Sequence, residues 1–183
     1  TPRASTSVRS GAAAVAIVSI TGVALLTTAQ PAAAAIRHSV IDVPYAESRG
    51  VCWARNLIQQ QYRGETYALQ IDGHHRFAPH WDRRLIRMIE CLRAEGVPKP
   101  ILTGYAPAFE PWNDPQGRTD AVWGLGLDRF EPEGVVFMRP FVPPTPPERP
   151  IPCRFWSAHF SFTLGSFNEE VIIDPHGYFH AEE

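Results

Sequence analysis

Residues 50–64 read GVCWARNLIQQQYRG, and this stretch decides the expected fold because it places a thiol at the start of an amphipathic segment. Its apolar side chains recur at spacings of three and four, at Val51, Ala54, Leu57, Ile58 and Tyr62. Such spacing is typical of a helix with one buried face, and Gly64 follows as a stop signal. The pattern therefore predicts a helix that begins within a residue or two of Cys52.

The remaining chain shows further helix and strand patterns. Residues 79–95 give the strongest helix pattern, with several Arg on one face and an opposite apolar face formed by Trp81, Leu85, Met88, Ile89 and Leu92. Strand patterns cover residues 65–71, 101–105, 135–142, 153–164 and 170–173. Residues 107–152 look like an irregular, proline-rich insertion, because residues 143–152 carry too many prolines for a helix or a central strand.

The last part of the chain predicts a hairpin that carries two polar candidates. Alternation between residues 153 and 164 places His159 on the more polar face of one strand. Asp174 follows the returning strand, where Pro175 ends it, so folding back brings Asp174 beside His159. Taken singly, a His in a strand is more often structural, and an Asp before Pro more often forms a turn.

Cys52, His159 and Asp174 together have the residue types of a thiol catalytic site. A helix N-terminus stabilises a thiolate through its unpaired N–H groups and its positive dipole end. An imidazole then holds and delivers the proton, and a carboxylate fixes the tautomer of that imidazole. We therefore predict Cys52 as the nucleophile, His159 as the general acid and base, and Asp174 as the orienting group. The Cys52 backbone N–H is the first candidate donor to an oxyanion.

Three short segments resemble the Cys, His and Asp blocks of bacterial protein-glutaminases, which are secreted enzymes of papain-like and transglutaminase-like architecture. These segments are residues 50–55 (GVCWAR), 156–159 (WSAH) and 171–175 (VIIDP), and they occur in the same order as in that family. The cysteine-rich disulfide pattern of that family is absent. The Gly-x-Cys-Trp string also resembles the nucleophile block of animal transglutaminases.

The resemblance implies an α+β fold of papain-like type, in which the Cys52 helix packs on an antiparallel β-sheet. It also implies deamidation of protein-bound glutamine to glutamate through a thioester, with a protein or peptide substrate and no cofactor. A cysteine protease or a transglutaminase-type acyl transferase is the alternative, because the same acyl-enzyme forms from a backbone amide or is resolved by an amine. A catalytically inactive exported binding or effector module is the alternative from another class.

Residues 1–35 have the composition of a secretory signal peptide. Arg3 and Arg9 are followed by an uncharged apolar run at residues 11–26, and residues 32–35 offer an Ala-x-Ala cleavage site. A membrane anchor is the competing interpretation, since the run is near the lower length limit for spanning a bilayer. Cleavage near Ala35 predicts a secreted protein without stable membrane association, in which residues 36–183 form one catalytic domain.

Charge and ligand patterns narrow the expected partners. The chain carries 17 Lys and Arg against 19 Asp and Glu, which argues against nucleic acid because phosphate binding needs a cationic surface. Histidines cluster at residues 74–80 and 176–180 without a zinc spacing, so we expect exposed-loop histidines and no metal. Cys91 and Cys153 suit a disulfide that leaves Cys52 reduced, and burial of all three thiols is the alternative.

Three further side chains have two interpretations each. Trp112 and Trp123 either line a groove for a peptide substrate or pack on the core. Arg55 either binds substrate or pairs with Glu47, and we expect the surface ion pair.

Overall fold

A computed structural model describes residues 3–9, 15–16, 23–26, 36–113, 116–119, 121–154 and 156–177. The strands are β1 (Arg3–Arg9), β2 (Val15–Ala16), β3 (Val23–Leu26), β4 (Ile36–Asp42), β5 (Tyr67–Ile71), β6 (Leu102–Thr103), β7 (Gly124–Phe130), β8 (Val136–Phe141) and β9 (Phe160–Leu164). The α-helices are α1 (Val51–Gln59), α2 (Trp81–Ala94) and α3 (Phe167–Glu170), and a 3₁₀ helix spans Tyr45–Glu47. The helices predicted at Cys52 and at residues 79–95 are confirmed as α1 and α2.

The main sheet has five strands in the order β2-β3-β5-β9-β6, and every neighbouring pair is antiparallel. β5 occupies the centre, pairing with β3 on one side and β9 on the other, with Leu69 opposite Phe162. All five β5 residues are buried, which is unusual for a solvated antiparallel strand and marks both of its faces as covered. The structure therefore combines helices with antiparallel sheets and confirms the α+β class.

The apolar core lies between this sheet and α2. Leu69, Ile89 and Phe162 are each 0% exposed, and Trp81, Leu85, Ile86 and Leu92 of α2 pack against them. The Phe162 ring stacks on Tyr67 at a centroid distance of 5.6 Å. At roughly 1.5–3 kcal/mol for each large side chain that is removed from water, this cluster is the main source of stability in the domain.

Side chains of α1 hold the C-terminal segment against the helix. The Asn56 amide donates to the carbonyl of Ile173 at 2.8 Å, and the Gln59 amide donates to the carbonyl of Val171 at 3.0 Å. Gln59 Oε1 also accepts from the backbone N–H of Ile173 at 2.9 Å. The backbone groups that a strand would use are thus bonded to side chains, so the predicted strand at residues 170–173 is wrong.

The predicted C-terminal hairpin is also wrong, because no strand follows β9 to pair with it in the described part of the chain. β9 pairs with β5 and β6, and the chain after β9 turns into α3 instead of returning as a strand. Gly165 is required at the start of this turn, because an added Cβ would lie 1.8 Å from the carbonyl oxygen of Glu65. Only glycine allows the two backbone segments to approach this closely. Residues 153–154 and 156–159 also lie outside β9, so the strand predicted over 153–164 is confirmed only in its second half.

β7 and β8 form a separate two-stranded antiparallel sheet. β8 confirms the strand predicted at residues 135–142, whereas β7 lies in a region that was expected to be irregular. Glycines allow the Phe141 ring to lie flat on β7, because a Cβ at Gly124 would be 2.8 Å from that ring. The insertion predicted at 107–152 therefore contains an ordered hairpin, followed by an extended connector.

All three cysteines lie within the described residues. No disulfide is formed among the described residues; Cys52 is buried, and Cys91 and Cys153 are exposed thiols.

The predicted signal peptide lies partly outside the described residues, and within it Val23–Leu26 forms β3 and pairs with β5. Its cleavage and the secretion of the protein stay predictions. No helix in the described part of the chain has both the length and the apolar character to cross a membrane.

Candidate functional site

A cavity of about 980 Å³ is lined by residues of α1, the end of β5, the β7–β8 hairpin and residues 156–159. One side carries polar groups, which we call the polar floor: Arg55, Asp72, His74, His75, Ser157 and His159. The β7–β8 hairpin contributes aliphatic side chains to the lining, which we call the hairpin wall: Leu125, Val136, Met138 and Pro140. Trp123 and Tyr105 also line the cavity, so one of the two tryptophans considered for a groove lies there, while Trp112 is 96% exposed.

The deepest charge of the polar floor is Arg55. It lies one turn after Cys52 in α1, is only 3% exposed, and donates through Nη2 to Asp72 Oδ1 at 3.1 Å. Burial lowers the pKa of Arg55, and the neighbouring carboxylate of Asp72 partly offsets that shift. A guanidinium nevertheless remains charged in proteins. The surface pair expected between Arg55 and Glu47 is therefore wrong: Arg55 is a buried cation held by the residue that follows β5.

His159 is fixed through both of its ring nitrogens. The backbone N–H of Ala106 donates to Nε2 at 3.1 Å, so Nε2 must carry a lone pair. Nδ1 therefore carries the proton and donates to Ser157 Oγ at 2.5 Å. Burial and the adjacent His75 lower the pKa of His159, which agrees with this neutral tautomer.

His75 has a different hydrogen-bonding state although its ring stacks on His159 at a centroid distance of 5.5 Å. Its Nδ1 donates to the backbone carbonyl of Asp72 at 2.9 Å, which leaves Nε2 as an acceptor. Nε2 is buried and has no hydrogen-bond partner among the described residues. Burial lowers the pKa of His75 as well. Exposed-loop histidines were expected here, and that is right for His74 and His80 but wrong for the half-buried His75.

Polar contacts from the main sheet fix the turn that carries His159. The Gln70 amide donates to the carbonyl of Ala158 at 2.8 Å, and Thr103 Oγ1 accepts from the backbone N–H of Ser157 at 2.9 Å. Trp156 Nε1 donates to Ser161 Oγ at 2.9 Å. β5, β6 and β9 each contribute one of these contacts, so the polar floor is an extension of the central sheet.

Two members of the predicted Cys-His-Asp set have surroundings that differ from the expectation. Cys52 lies at the second residue of α1, as predicted, but it is 0% exposed and does not line the cavity. Asp174 is exposed and accepts from the backbone N–H of His176 at 2.9 Å, with the His176 ring also at 2.9 Å. These hydrogen bonds lower the pKa of Asp174. His159 bonds Ser157 and Ala106, so the expected contact between His159 and Asp174 is not formed.

The sequence interpretation missed Asp72 as a site residue. It gave substrate binding as one of two interpretations of Arg55, and it assigned His75 to an exposed loop. A local signal for Asp72 exists, since a carboxylate that directly follows a buried strand lies at a sheet edge, where sites are commonly built. Nothing in the sequence pairs Arg55 with it across 17 positions. Within the described residues, no three or more His, Cys, Asp and Glu side chains are grouped so that they could hold a metal ion.

Comparison with family models identifies the family of this chain. The family model described as Glycosyltransferase (GlcNAc) matches residues 8–183, which is nearly the whole chain and includes most of the predicted leader. No curated protein and no solved structure matches the chain significantly.

Proposed function

We propose, from the premise that this chain belongs to the Glycosyltransferase (GlcNAc) family, that the cavity transfers N-acetylglucosamine from a phosphate-activated donor to an acceptor hydroxyl. The observation that carries the proposal is the buried Arg55 cation, held by Asp72 on the polar floor of a cavity of about 980 Å³. Cavities of this size accommodate ligands of some tens of atoms. A donor sugar and an acceptor together fall in that range.

The charge on Arg55 suits the leaving group of such a reaction. The bond between the anomeric carbon and the phosphate oxygen breaks, and the phosphate keeps the electron pair. A cation fixed in a water-poor site stabilises this developing charge strongly. Arg55 Nε and Nη1 are buried in this structure, so donor binding has to open the site before the guanidinium contacts phosphate oxygens. Asp72 contributes by holding the Arg55 side chain through Oδ1, so the cation is oriented before the donor arrives.

The acceptor hydroxyl must lose a proton as its oxygen bonds to the anomeric carbon. His75 is our candidate to receive that proton, because burial lowers its pKa and keeps the ring neutral near pH 7. Its Nε2 is covered in this structure, so acceptor binding has to displace a neighbouring side chain. His159 is a positioning residue, since both of its nitrogens are already bonded to Ala106 and Ser157.

Thiol-dependent deamidation of glutamine in a papain-like fold is the second proposed function. It is supported by the position of Cys52 in the first turn of α1 and by the nearby charge of Arg55, both of which favour a thiolate. It requires Cys52 to become accessible and Asp174 to leave His176 for His159. Proteolysis and transglutaminase-type acyl transfer would need the same rearrangement. An inactive binding or effector module remains the proposal without catalysis.

A pair of variants separates sugar transfer from thiol chemistry. The full chain is incubated with UDP-N-acetylglucosamine and an alcohol acceptor, and release of UDP is measured; in parallel, ammonia release is measured from a glutamine peptide. For sugar transfer, Asp72→Asn should lower the rate of UDP release by at least about 100-fold, because Arg55 loses the carboxylate that orients its guanidinium. Cys52→Ala should leave the rate within about twofold.

Controls make the outcome specific. Asp42→Asn changes an exposed carboxylate and should leave both reactions unaltered. Circular dichroism of Asp72→Asn checks folding, since removing one partner of a buried ion pair costs roughly 3 kcal/mol. Ammonia release that is abolished by Cys52→Ala, without UDP release from the parent chain, would reject sugar transfer in favour of deamidation. Neither product from a folded parent chain would favour the binding module.

A further inference from the structure

We propose that the acceptor used in this cavity is amphipathic: a hydroxyl-bearing head meets the polar floor, and an apolar aglycone packs on the hairpin wall. This inference rests on the proposed sugar transfer and names the class of its acceptor. The observation behind it is that separate elements line one cavity with different chemistry: the polar floor comes from α1, the end of β5 and the turn before β9, and the hairpin wall comes from β7 and β8.

The hairpin wall follows from strand geometry. Alternate residues of β8, namely Val136, Met138 and Pro140, line the cavity, whereas Phe137, Arg139 and Phe141 belong to the other face. Leu125 adds a fourth aliphatic side chain from β7. Phe137 receives the Arg129 guanidinium over its ring at 4.4 Å, so the outer face makes its own contacts. The inner face of β8 therefore lines the cavity with aliphatic side chains.

A donor sugar by itself does not suit this aliphatic surface. The hydroxyl, amide and phosphate groups of an activated sugar need hydrogen-bond partners, and burial against aliphatic carbon would leave them unsatisfied. The polar floor offers Arg55, His75 and Ser157 for such groups. An alkyl group on the hairpin wall instead loses contact with water without leaving a polar group unpaired. The two sides of the cavity thus fit the two ends of an amphipathic acceptor.

Matched acceptors test the inference directly. Octyl and methyl β-D-galactopyranoside present identical hydroxyls and differ only in alkyl length, and both are used below the concentration at which the octyl compound forms micelles. A fully buried methylene contributes roughly fourfold in affinity, so partial burial of the chain should lower KM at least about tenfold for the octyl compound. The rate at saturation should change little, because the alkyl group is remote from the reacting hydroxyl.

Two variants of neighbouring residues show whether the hairpin wall causes the lower KM expected for the octyl compound. Met138→Gln introduces an amide of similar length on the inner face and should raise KM for the octyl compound about tenfold while leaving the methyl compound unchanged. Arg139→Gln alters the adjacent residue on the outer face and should change neither value. Equal KM for the two glycosides, or a Met138→Gln effect on both alike, would overturn the inference. A change in the KM of the donor alone would assign the hairpin wall to the donor and also overturn it.

A binding measurement separates a failure of the amphipathic-acceptor inference from a failure of the proposed sugar transfer. Tryptophan fluorescence is titrated with each glycoside in the presence of UDP, since Trp123 lines the cavity beside the wall. Octyl-selective binding that Met138→Gln removes supports the amphipathic site even if no UDP is released, in which case only the proposed reaction fails. Equal responses to the two glycosides overturn the inference whatever the turnover.

Discussion

The central sheet and the β7–β8 hairpin both contribute to the cavity, yet they are held in different ways. The polar floor is tied to the sheet across long sequence separations, for example from Gln70 to Ala158 and from Arg55 to Asp72. Among the described residues, β7 and β8 pair with each other in a two-stranded sheet, and Trp123, directly before β7, forms one isolated bridge with Tyr105. An isolated hairpin is marginally stable in water, so its contacts around the cavity must contribute to its order.

This difference assigns separate tasks to the two regions. Charge stabilisation needs side chains held within a fraction of an ångström, which the interlocked floor provides. Selection among apolar groups tolerates more movement, because the hydrophobic effect is non-directional. If the proposed sugar transfer holds, the polar floor is thus suited to the reacting groups, and the hairpin wall to the choice of acceptor.

Loss of one Phe in each region should give the largest difference in stability. Phe162→Ala removes a ring that is 0% exposed and stacked on Tyr67, so the free energy of unfolding should fall by about 3–5 kcal/mol. Phe141→Ala removes a ring that is 43% exposed and lies on Gly124, so the expected loss is about 1 kcal/mol. Urea unfolding of both variants measures the two losses. Equal losses would show that the hairpin belongs to the central core.

Local periodicity predicted the helices and the middle of the sheet correctly. The apolar repeat at Val51 and Ile58 gave α1, and the face containing Trp81 and Ile89 gave α2 within two residues of its ends. β5 and β8 were predicted because apolar and aromatic runs favour strands wherever they pack. These elements are determined by residues close in sequence, which explains why sequence alone was sufficient.

Long-range polar contacts caused the errors at the site. Residues 171–173 have strand propensity, but Asn56 and Gln59 bond their backbone groups across more than 100 positions. Asp174 consequently lies in an exposed turn with His176 and not beside His159. The sequence alone also gave no sign that Arg55 would be buried against Asp72. Pairings of this kind depend on the assembled fold, and hydrophobic period carries no information about them.

Gln59→Leu tests the long-range polar bonds of the central region without removing its apolar core. The substitution breaks the bonds to Val171 and Ile173 and leaves two backbone groups short of a partner. At about 1 kcal/mol for each lost bond, the free energy of unfolding should fall by about 2 kcal/mol. Hydrogen exchange at the Ile173 amide should also become faster.

Gln61→Leu is the matched control for this substitution. Its amide donates to the carbonyl of Leu57, four residues earlier, at 3.5 Å, and it forms no hydrogen bond to another segment within the described part of the chain. Its effect should remain below about 0.5 kcal/mol. A similar loss in both variants would mean that replacing a glutamine at or just after the end of α1 is destabilising by itself, and that the bonds from Gln59 to the C-terminal segment contribute little.

The smallest expected effect is a pH dependence that belongs to the polar floor, since the hairpin contains no histidine. Burial lowers the pKa of His75 and His159 in the folded chain, whereas the unfolded chain binds protons near pH 6.5. Their contribution is therefore fully present above about pH 6.5 and is lost as pH falls toward the lower folded pKa, because the unfolded state then binds more protons. Urea unfolding between pH 7.5 and 5.5 should show a shallower loss of stability in His159→Gln and His75→Gln than in the parent chain.

His80→Asn is the control for losing an exposed histidine, and Asn tolerates the left-handed backbone at that position. If the slopes of both floor variants matched that of the parent chain, the two rings would be protonated equally in the folded and unfolded states. The neutral tautomer that follows from the Ala106 contact would then be wrong.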